Sequence, residues 1–254
     1  MLTLATYNLY KGGPEDFSAW ARTLGALAPD ILLLQESCAP DRYLGTLPPE
    51  RHAQVQRAPW APAAANAWGS AISLAQGTAT MLPLPAALHG WVVGADIHGL
   101  RWRPGANGPL RVFSLHTPTS APCAYERDLN TALSAIAPLA VGHDVILGGD
   151  FNVTISVRHS AEERTNTPGE IAIHQRLRNE LGLINCWQAL HPDEALAQTL
   201  RYRFSDAPQS FHLDGLFVPA AWRPFLRTCA VHNDADWRRK GSSDHFPVVA
   251  TFTP

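Results

Sequence analysis

Asp150 and Asn152 close the run Val145-Ile-Leu-Gly-Gly149, so an acid and an amide stand two residues apart where an apolar stretch ends. In extended backbone, positions i and i+2 share a face, and a carboxylate beside an amide can orient water next to a charged oxygen. The paired glycines admit a close backbone approach. An Asx-rich turn closing a strand has the same composition, and the segment by itself leaves both readings open. A second cluster, Ser243-Asp244-His245, stands just before the apolar run Pro247–Phe252. Imidazole exchanges a proton near neutrality or binds a phosphoryl oxygen, and a neighbouring carboxylate suits a hard metal ion. Glu36 follows Ile31-Leu-Leu-Leu-Gln35, Asn8 closes the first apolar run, His116 closes Val112-Phe-Ser-Leu115, and Asp214 sits within His212-Leu-Asp-Gly-Leu-Phe-Val218. Each alone fits a strand end or surface turn; six such ends carrying Asn, Glu, His or Asp form a pattern that a random surface produces less consistently.

These side chains need elements to mount them. Short apolar runs bounded by turn residues predict strands at Thr3–Leu9, Asp30–Leu34, Ala71–Leu74, Trp91–Ile97, Arg111–Leu115, Val145–Leu147, Gly215–Val218 and Pro247–Phe252. Helical spacing marks Phe17–Leu27, Glu126–Leu139 and Glu170–Leu181. The expectation is a mixed α/β sheet protein. The Pro/Ala-rich stretch Pro40–Ala67 shows no period, and no composition shift resembles an interdomain linker, so residues 1–254 are expected to form a single domain.

Of the 254 residues, 46% are hydrophobic and 17% charged, which excludes a disordered chain. Twenty Lys and Arg against 22 Asp and Glu give a net charge of −2, arguing against binding nucleic acid by bulk electrostatics, though not against a small basic patch. The start Met1-Leu-Thr-Leu-Ala-Thr-Tyr7 has neither a basic region nor an apolar core of the secretory kind, and no run is long enough to span a bilayer. A cytoplasmic monomer without membrane insertion or protein partner is expected. Cys38, Cys123, Cys186 and Cys229 are widely spaced and read as reduced thiols. Asn152-Val-Thr154 matches a glycosylation sequon, which is set aside because Asn152 belongs to the candidate site.

In order along the chain, Thr6-Tyr-Asn8, Leu34-Gln-Glu36, Leu115-His116, Gly149-Asp-Phe-Asn152, Leu213-Asp214 and Ser243-Asp-His245 resemble the strand-end signatures of the endonuclease/exonuclease/phosphatase superfamily, the deoxyribonuclease-I-like fold. The resemblance covers essentially the whole chain. It implies a four-layer α/β/β/α sandwich, two packed mixed β-sheets flanked by helices, and Mg²⁺-dependent attack of water on a phosphoester, with Mn²⁺ as a substitute. It also assigns roles. Glu36 matches the principal metal carboxylate, with Asn8 and Asp244 near the ion. Asp150 matches the residue that orients or deprotonates water, and Asn152 the amide beside it. His245 resembles the donor to a phosphoryl oxygen, Asp214 the carboxylate that fixes its ring, and His116 the histidine that assists the leaving oxygen in some branches. Tyr10, two after Asn8, disfavours branches that place a metal-binding Asp there. Ser70, in Trp68-Gly-Ser-Ala-Ile72, stands where many members carry a substrate-side Asn.

Two aromatic–basic stretches bear on the substrate, Arg101-Trp-Arg103 and Trp237-Arg-Arg-Lys240. Arg238, Arg239 and Lys240 are candidates for neutralising backbone phosphates while a tryptophan stacks on a base. A nuclease acting on DNA or RNA is therefore the leading expectation. Alternatives are a phosphodiesterase or phosphatase for a lipid, inositol phosphate or nucleotide-like molecule, with Trp60, Trp68 and Trp91 as an aromatic rim, and an inactive binding module on the same scaffold.

Overall fold

Strand and helix order follows from two apolar periods that alternate along the chain. The computed structural model describes residues 1–105, 108–118, 121, 124–158, 165–205, 211–238 and 243–254. Its elements are β1 (Leu2–Asn8), α1 (Ala19–Leu27), β2 (Ile31–Cys38), α2 (Pro49–Gln56), β3 (Trp60–Pro62), β4 (Trp68–Leu74), β5 (Thr78–Met81), β6 (Val92–His98), β7 (Leu110–His116), α3 (Tyr125–Ala140), β8 (Asp144–Asp150), α4 (Pro168–Asn179), β9 (Leu183–Asn185), α5 (Cys186–Leu190), β10 (Asp214–Pro219), β11 (Leu226–Val231) and β12 (Val248–Phe252).

The strands form two six-stranded sheets, ordered β11-β12-β1-β2-β4-β3 and β5-β6-β7-β8-β10-β9. Each is mixed: β1 runs parallel to β2 and β7 parallel to β8, and the other pairs are antiparallel. Strand residues divide between layers with period two. Leu2, Leu4, Ile31 and Leu33 from the first sheet join Leu110, Val112 and Ile146 from the second in a core between the sheets. Their neighbours point outward: Tyr7, Leu32 and Leu34 pack with Trp20 and Leu24 of α1, and Phe113, Leu115, Val145 and Leu147 with Leu129, Leu133 and Ile136 of α3 and Ile173 and Leu177 of α4. Burial on both faces is why β2 reads as an unbroken Ile-Leu-Leu-Leu run. The result is the four-layer sandwich that the family resemblance implies.

All eight sequence-derived strands and three helices are present, and four strands were not read. β9 has three residues, β5 is an exposed edge, β3 is confined to Trp60–Pro62, and β11 buries only Leu226 and Cys229, so none carries a legible apolar pattern. The stretch 40–67 is a correction: it holds a 3-10 turn at Pro40–Thr46, then α2 and β3. Among α2 residues only Gln54 and Val55 are buried, which leaves no amphipathic stripe to find.

Candidate active site

Parallel strands end together, and here that geometry gathers side chains far apart in sequence. Register places His116 of β7 beside Asp150 of β8, and Asp150 opposite Asp214 of β10, so three chemically active residues form one row across adjacent strands. In the other sheet Asn8 of β1 pairs with Gln35 of β2, one residue before Glu36. His245 lies three residues before β12, whose Val248 pairs with Thr6 of β1.

A polar seam ties the two rows together. Asn8 Nδ2 donates to Asp150 Oδ2 at 3.0 Å and to Glu36 Oε1 at 3.3 Å, joining the sheets. One turn deeper, Gln35 Nε2 donates to Ser114 Oγ at 3.0 Å. Asn8 is itself held by Tyr10, whose backbone N–H donates to Asn8 Oδ1 at 2.9 Å, and Lys11 N–H donates to Glu36 Oε2 at 2.8 Å. Glu36 sits at a β-bulge, where the β2–β4 register shifts between Leu34 and Ser37, and adopts φ 50°. Asn152, with φ 53°, is left-handed as well. Non-glycine residues held in this region cost of order 1–3 kcal/mol each and cluster where function fixes them. Gly149, at φ 151°, permits β7 and β8 to pack: a Cβ there would lie 1.8 Å from Leu115 O.

His245 is the most constrained group. Its Nδ1 lies 2.9 Å and 3.0 Å from the two oxygens of Asp214, and its Nε2 lies 3.6 Å from Asp150 Oδ2 and 3.9 Å from Asp244 Oδ1. Burial works against a charge on the ring, but Asp214, Asp150 and Asp244 outweigh it and raise its pKa to about 10. Both ring nitrogens then carry protons, with Nδ1–H donating to Asp214. Burial pushes the Asp244 carboxyl up, and the charges of Glu36 and Asp150 add to it. His116 Nε2 stands 3.8 Å from both Glu36 Oε1 and Asp150 Oδ2. Its ring rests against Trp91 and Trp68, with centroids 5.2 Å and 5.9 Å away. Asn152 N–H donates to Asp150 Oδ1 at 2.9 Å, which fixes the second carboxylate oxygen.

The donor set fits a hard divalent cation. Asp244 Oδ1 is buried without a hydrogen-bond partner among the described residues, and the carboxylates of Glu36, Asp150 and Asp244 face one region with too little positive charge between them. Ligand-type atoms of Asp150, Asp214 and His245 lie within 4.8 Å of one another, a group able to hold a metal ion. His245 Nδ1 is committed to Asp214, and a hard cation prefers the oxygens of the neighbouring carboxylates.

Not every predicted residue joins the cluster. Ser70 is fully buried and its hydroxyl donates to Trp91 O at 2.9 Å, so it braces β4 instead of facing a substrate. Trp237 is also a correction: it is buried against Tyr7, edge to face, which closes it to a base. Arg238 lies over the Phe246 ring at 4.9 Å and donates to Asn233 O, a structural arrangement. Arg239 and Lys240 lie outside the described residues, as does Cys123; Cys38, Cys186 and Cys229 are buried free thiols. Arg103 pairs with Asp144 at 2.7 Å, and Trp60, Trp68 and Trp91 are half-buried. Thr199 was missed. Its Oγ1 accepts from the backbone N–H groups of Leu213 and Asp214 at 2.8 Å and 3.1 Å and so sets the height of Asp214, a role that no local pattern announces. A pocket of about 860 Å³ between α4 and β9, lined by His174, Leu177 and Leu183 among others, shares no residue with the cluster.

Residues 5–245 match the endonuclease/exonuclease/phosphatase family. The chain belongs to that family. Solved structures support its fold. A 3′ phosphatase, NExo, from Neisseria, bound to product DNA hairpin, superposes with a TM-score of 0.71 at 19% identity, covering 100% of both chains. An AP endonuclease from Archaeoglobus fulgidus gives the same score, identity and coverage. Humanized TDP2 from D. rerio gives 0.63 at 16% identity, over 100% of this chain and 99% of that one. No curated protein sequence matches. Family membership makes this chain a phosphoesterase-family protein, and its acids and histidines meet at one end of the sandwich. Among the described residues no helix is long and apolar enough to cross a membrane.

Proposed function

We propose that this protein hydrolyses phosphodiesters of nucleic acid with the help of Mg²⁺, for which Mn²⁺ can substitute. The observation that carries the reading is the Asp150 carboxylate, shared by Asn8 and Asn152 as hydrogen-bond donors and faced by His245 and His116. Glu36 and Asp244, with Asn8 beside them, would hold the cation. When bound, such a cation neutralises charge that develops on the phosphoryl oxygens.

The protein groups divide the remaining work. Asp150 Oδ2 orients the attacking water in line with phosphorus and takes its proton as the new P–O bond forms and the bond to the departing oxygen breaks; Asn8 and Asn152 keep the carboxylate from rotating. His245 Nε2–H donates to a non-bridging phosphoryl oxygen, its ring held by Asp214. His116 Nε2 faces the same space and donates to the departing oxygen, and the Asn152 carboxamide, which bonds to no protein group among the described residues, steadies the phosphate. Phosphoryl transfer asks for this kind of positioning and charge placement, with little covalent work by the protein. DNA in a structural relative supports nucleic acid as the substrate class.

The test is a panel of plasmid, single-stranded oligonucleotide, RNA, inositol phosphate and sphingomyelin, each with Mg²⁺ and with EDTA. Cleavage of the nucleic acids alone, stopped by EDTA, is the expected result. Turnover confined to the lipid or the inositol phosphate would replace this substrate assignment.

A further inference from the structure

Large aromatic side chains normally leave water, yet beside this site four remain exposed: Tyr10 at 37%, Tyr202 at 48%, Phe204 at 44% and Phe211 at 36%. They meet in two pairs. Tyr10 and Phe204 stand edge to face with centroids 5.3 Å apart, and Tyr202 and Phe211 lie 5.7 Å apart. The two turns that supply Tyr10, Tyr202 and Phe204 are tied to the active-site residues. Tyr10 N–H donates to Asn8, and Lys11 N–H to Glu36. Arg201 N–H donates to Asp244 O at 2.6 Å, Phe204 N–H donates to Arg201 O at 2.8 Å, and Leu200 bridges to His245.

Two further observations show a ledge built for contact. Tyr10, Lys11, Arg203 and Phe204 have φ of 55°, 53°, 55° and 55°, so both turns hold ordinary residues in the left-handed region that favours glycine. Relaxed turns with glycine at these positions would carry no rings there. Cations also accompany the rings: Lys11 Nζ lies 5.2 Å from the Tyr10 centroid, and Arg203 Cζ lies 5.1 Å from that of Tyr202. Flat π faces flanked by cations, next to a phosphodiester site, fit a base that is free to leave its stack. A duplex hides its bases and is held through bulk positive charge, and this chain has 20 basic residues against 22 acidic ones.

Building on the phosphodiesterase reading above, we propose that Tyr10 and Phe204 form a stacking ledge for an unpaired base next to the scissile phosphate, so that the substrate class is single-stranded nucleic acid. Binding is measured by fluorescence anisotropy in EDTA, where nothing is cleaved. The probes are a short labelled oligodeoxynucleotide, the same strand annealed to its complement, and the RNA of that sequence. The parent protein binds single strands at least about tenfold tighter than the duplex, and Tyr10→Leu or Phe204→Leu weakens single-strand binding about tenfold and narrows that gap. Phe204→Trp restores it, because a ring and not bulk is required. Equal or tighter duplex binding by the parent, or unchanged single-strand binding in the leucine variants, overturns the ledge. Hydrolysis of bis(p-nitrophenyl) phosphate by the parent with Mg²⁺ separates the two readings: hydrolysis with ring-independent binding removes the ledge alone, and ring-dependent binding without hydrolysis removes the catalytic reading alone.

Discussion

Two buried acid clusters in this molecule are solved in opposite ways. Glu170, at the start of α4, accepts hydrogen bonds from Thr154 N–H at 3.3 Å, Thr167 N–H at 2.9 Å and Asn166 Nδ2 at 3.2 Å, with Arg158 3.9 Å away. Burial alone would raise its pKa, but those donors prevail and hold it below the ordinary carboxylate range. At the strand ends, Glu36, Asp150, Asp214 and Asp244 lie around the imidazoles of His245 and His116. There burial prevails on Asp244, and one of its oxygens has no hydrogen-bond partner among the described residues. A carboxylate ringed by donors is finished structure. Carboxylates that face each other favour positive charge from outside the chain, which a divalent cation would supply.

The contrast breaks most sharply on activity. Asp150→Ala and His245→Ala each lower phosphodiester turnover by 100-fold or more, about 3 kcal/mol of barrier, in steady-state assays with Mg²⁺. The thermal midpoint of Asp150→Ala stays near or above that of the parent, since it relieves repulsion among carboxylates. His245→Ala leaves Asp214 buried without its partner and lowers the midpoint, so its turnover is taken per folded molecule. Glu170→Ala does the reverse. It strips the acceptor from three donors and costs about 2–3 kcal/mol in urea unfolding, while turnover per folded molecule is unchanged. Wild-type turnover in both site variants, or a Glu170→Ala protein that is stable but inactive, would exchange the roles of the two clusters.

Legibility in the sequence divides along the same line. The buried strands were readable because both faces of β2 and β8 are apolar, and α1, α3 and α4 because one stripe faces a sheet. Site residues were readable where they end such strands, as Asn8, His116 and Asp150 do, and where the family resemblance marks them, as it does for Glu36, Asp214, Asp244 and His245. The bulge that turns Glu36 toward Asn8 was not readable, because an inserted residue in β2 reveals itself only by its shifted pairing with β4. Thr199 and Phe204 were invisible for a related reason. They lie in the irregular chain between α5 and β10, where no period exists, and the site partners of Thr199 are 14 and 15 residues away while that of Phe204 comes from another turn. Ser70 and Trp237 misled in the other direction: polar or aromatic character near a motif suggested substrate contact, and tertiary packing had already engaged both.

A cation should sharpen the comparison with a smaller effect. Magnesium at about ten times its dissociation constant stabilises the parent by roughly 1.4 kcal/mol, read as a higher thermal midpoint. Glu36→Gln removes most of that increment, and Glu170→Gln keeps all of it. An equal Mg²⁺ response in Glu36→Gln and the parent would move the cation away from Glu36, toward the Asp150, Asp214 and His245 group.

The smallest effect concerns the finished cluster alone. Thr167 caps α4 by accepting from Glu170 N–H at 3.0 Å, while the Glu170 carboxylate accepts from Thr167 N–H, so the two form a reciprocal box. Thr167→Ala costs about 1 kcal/mol at neutral pH. The pH dependence has a definite sign. Because the folded pKa of Glu170 is depressed, its carboxylate contributes fully above the ordinary glutamate pKa of about 4.3, and that contribution is lost as pH falls through the folded value. The stability difference between the parent and Glu170→Gln is therefore constant from neutral pH down to about 5 and shrinks below that. Urea midpoints of the pair across this range measure it, and a gap that widens on acidification would mean that the carboxylate is not the group its donors stabilise.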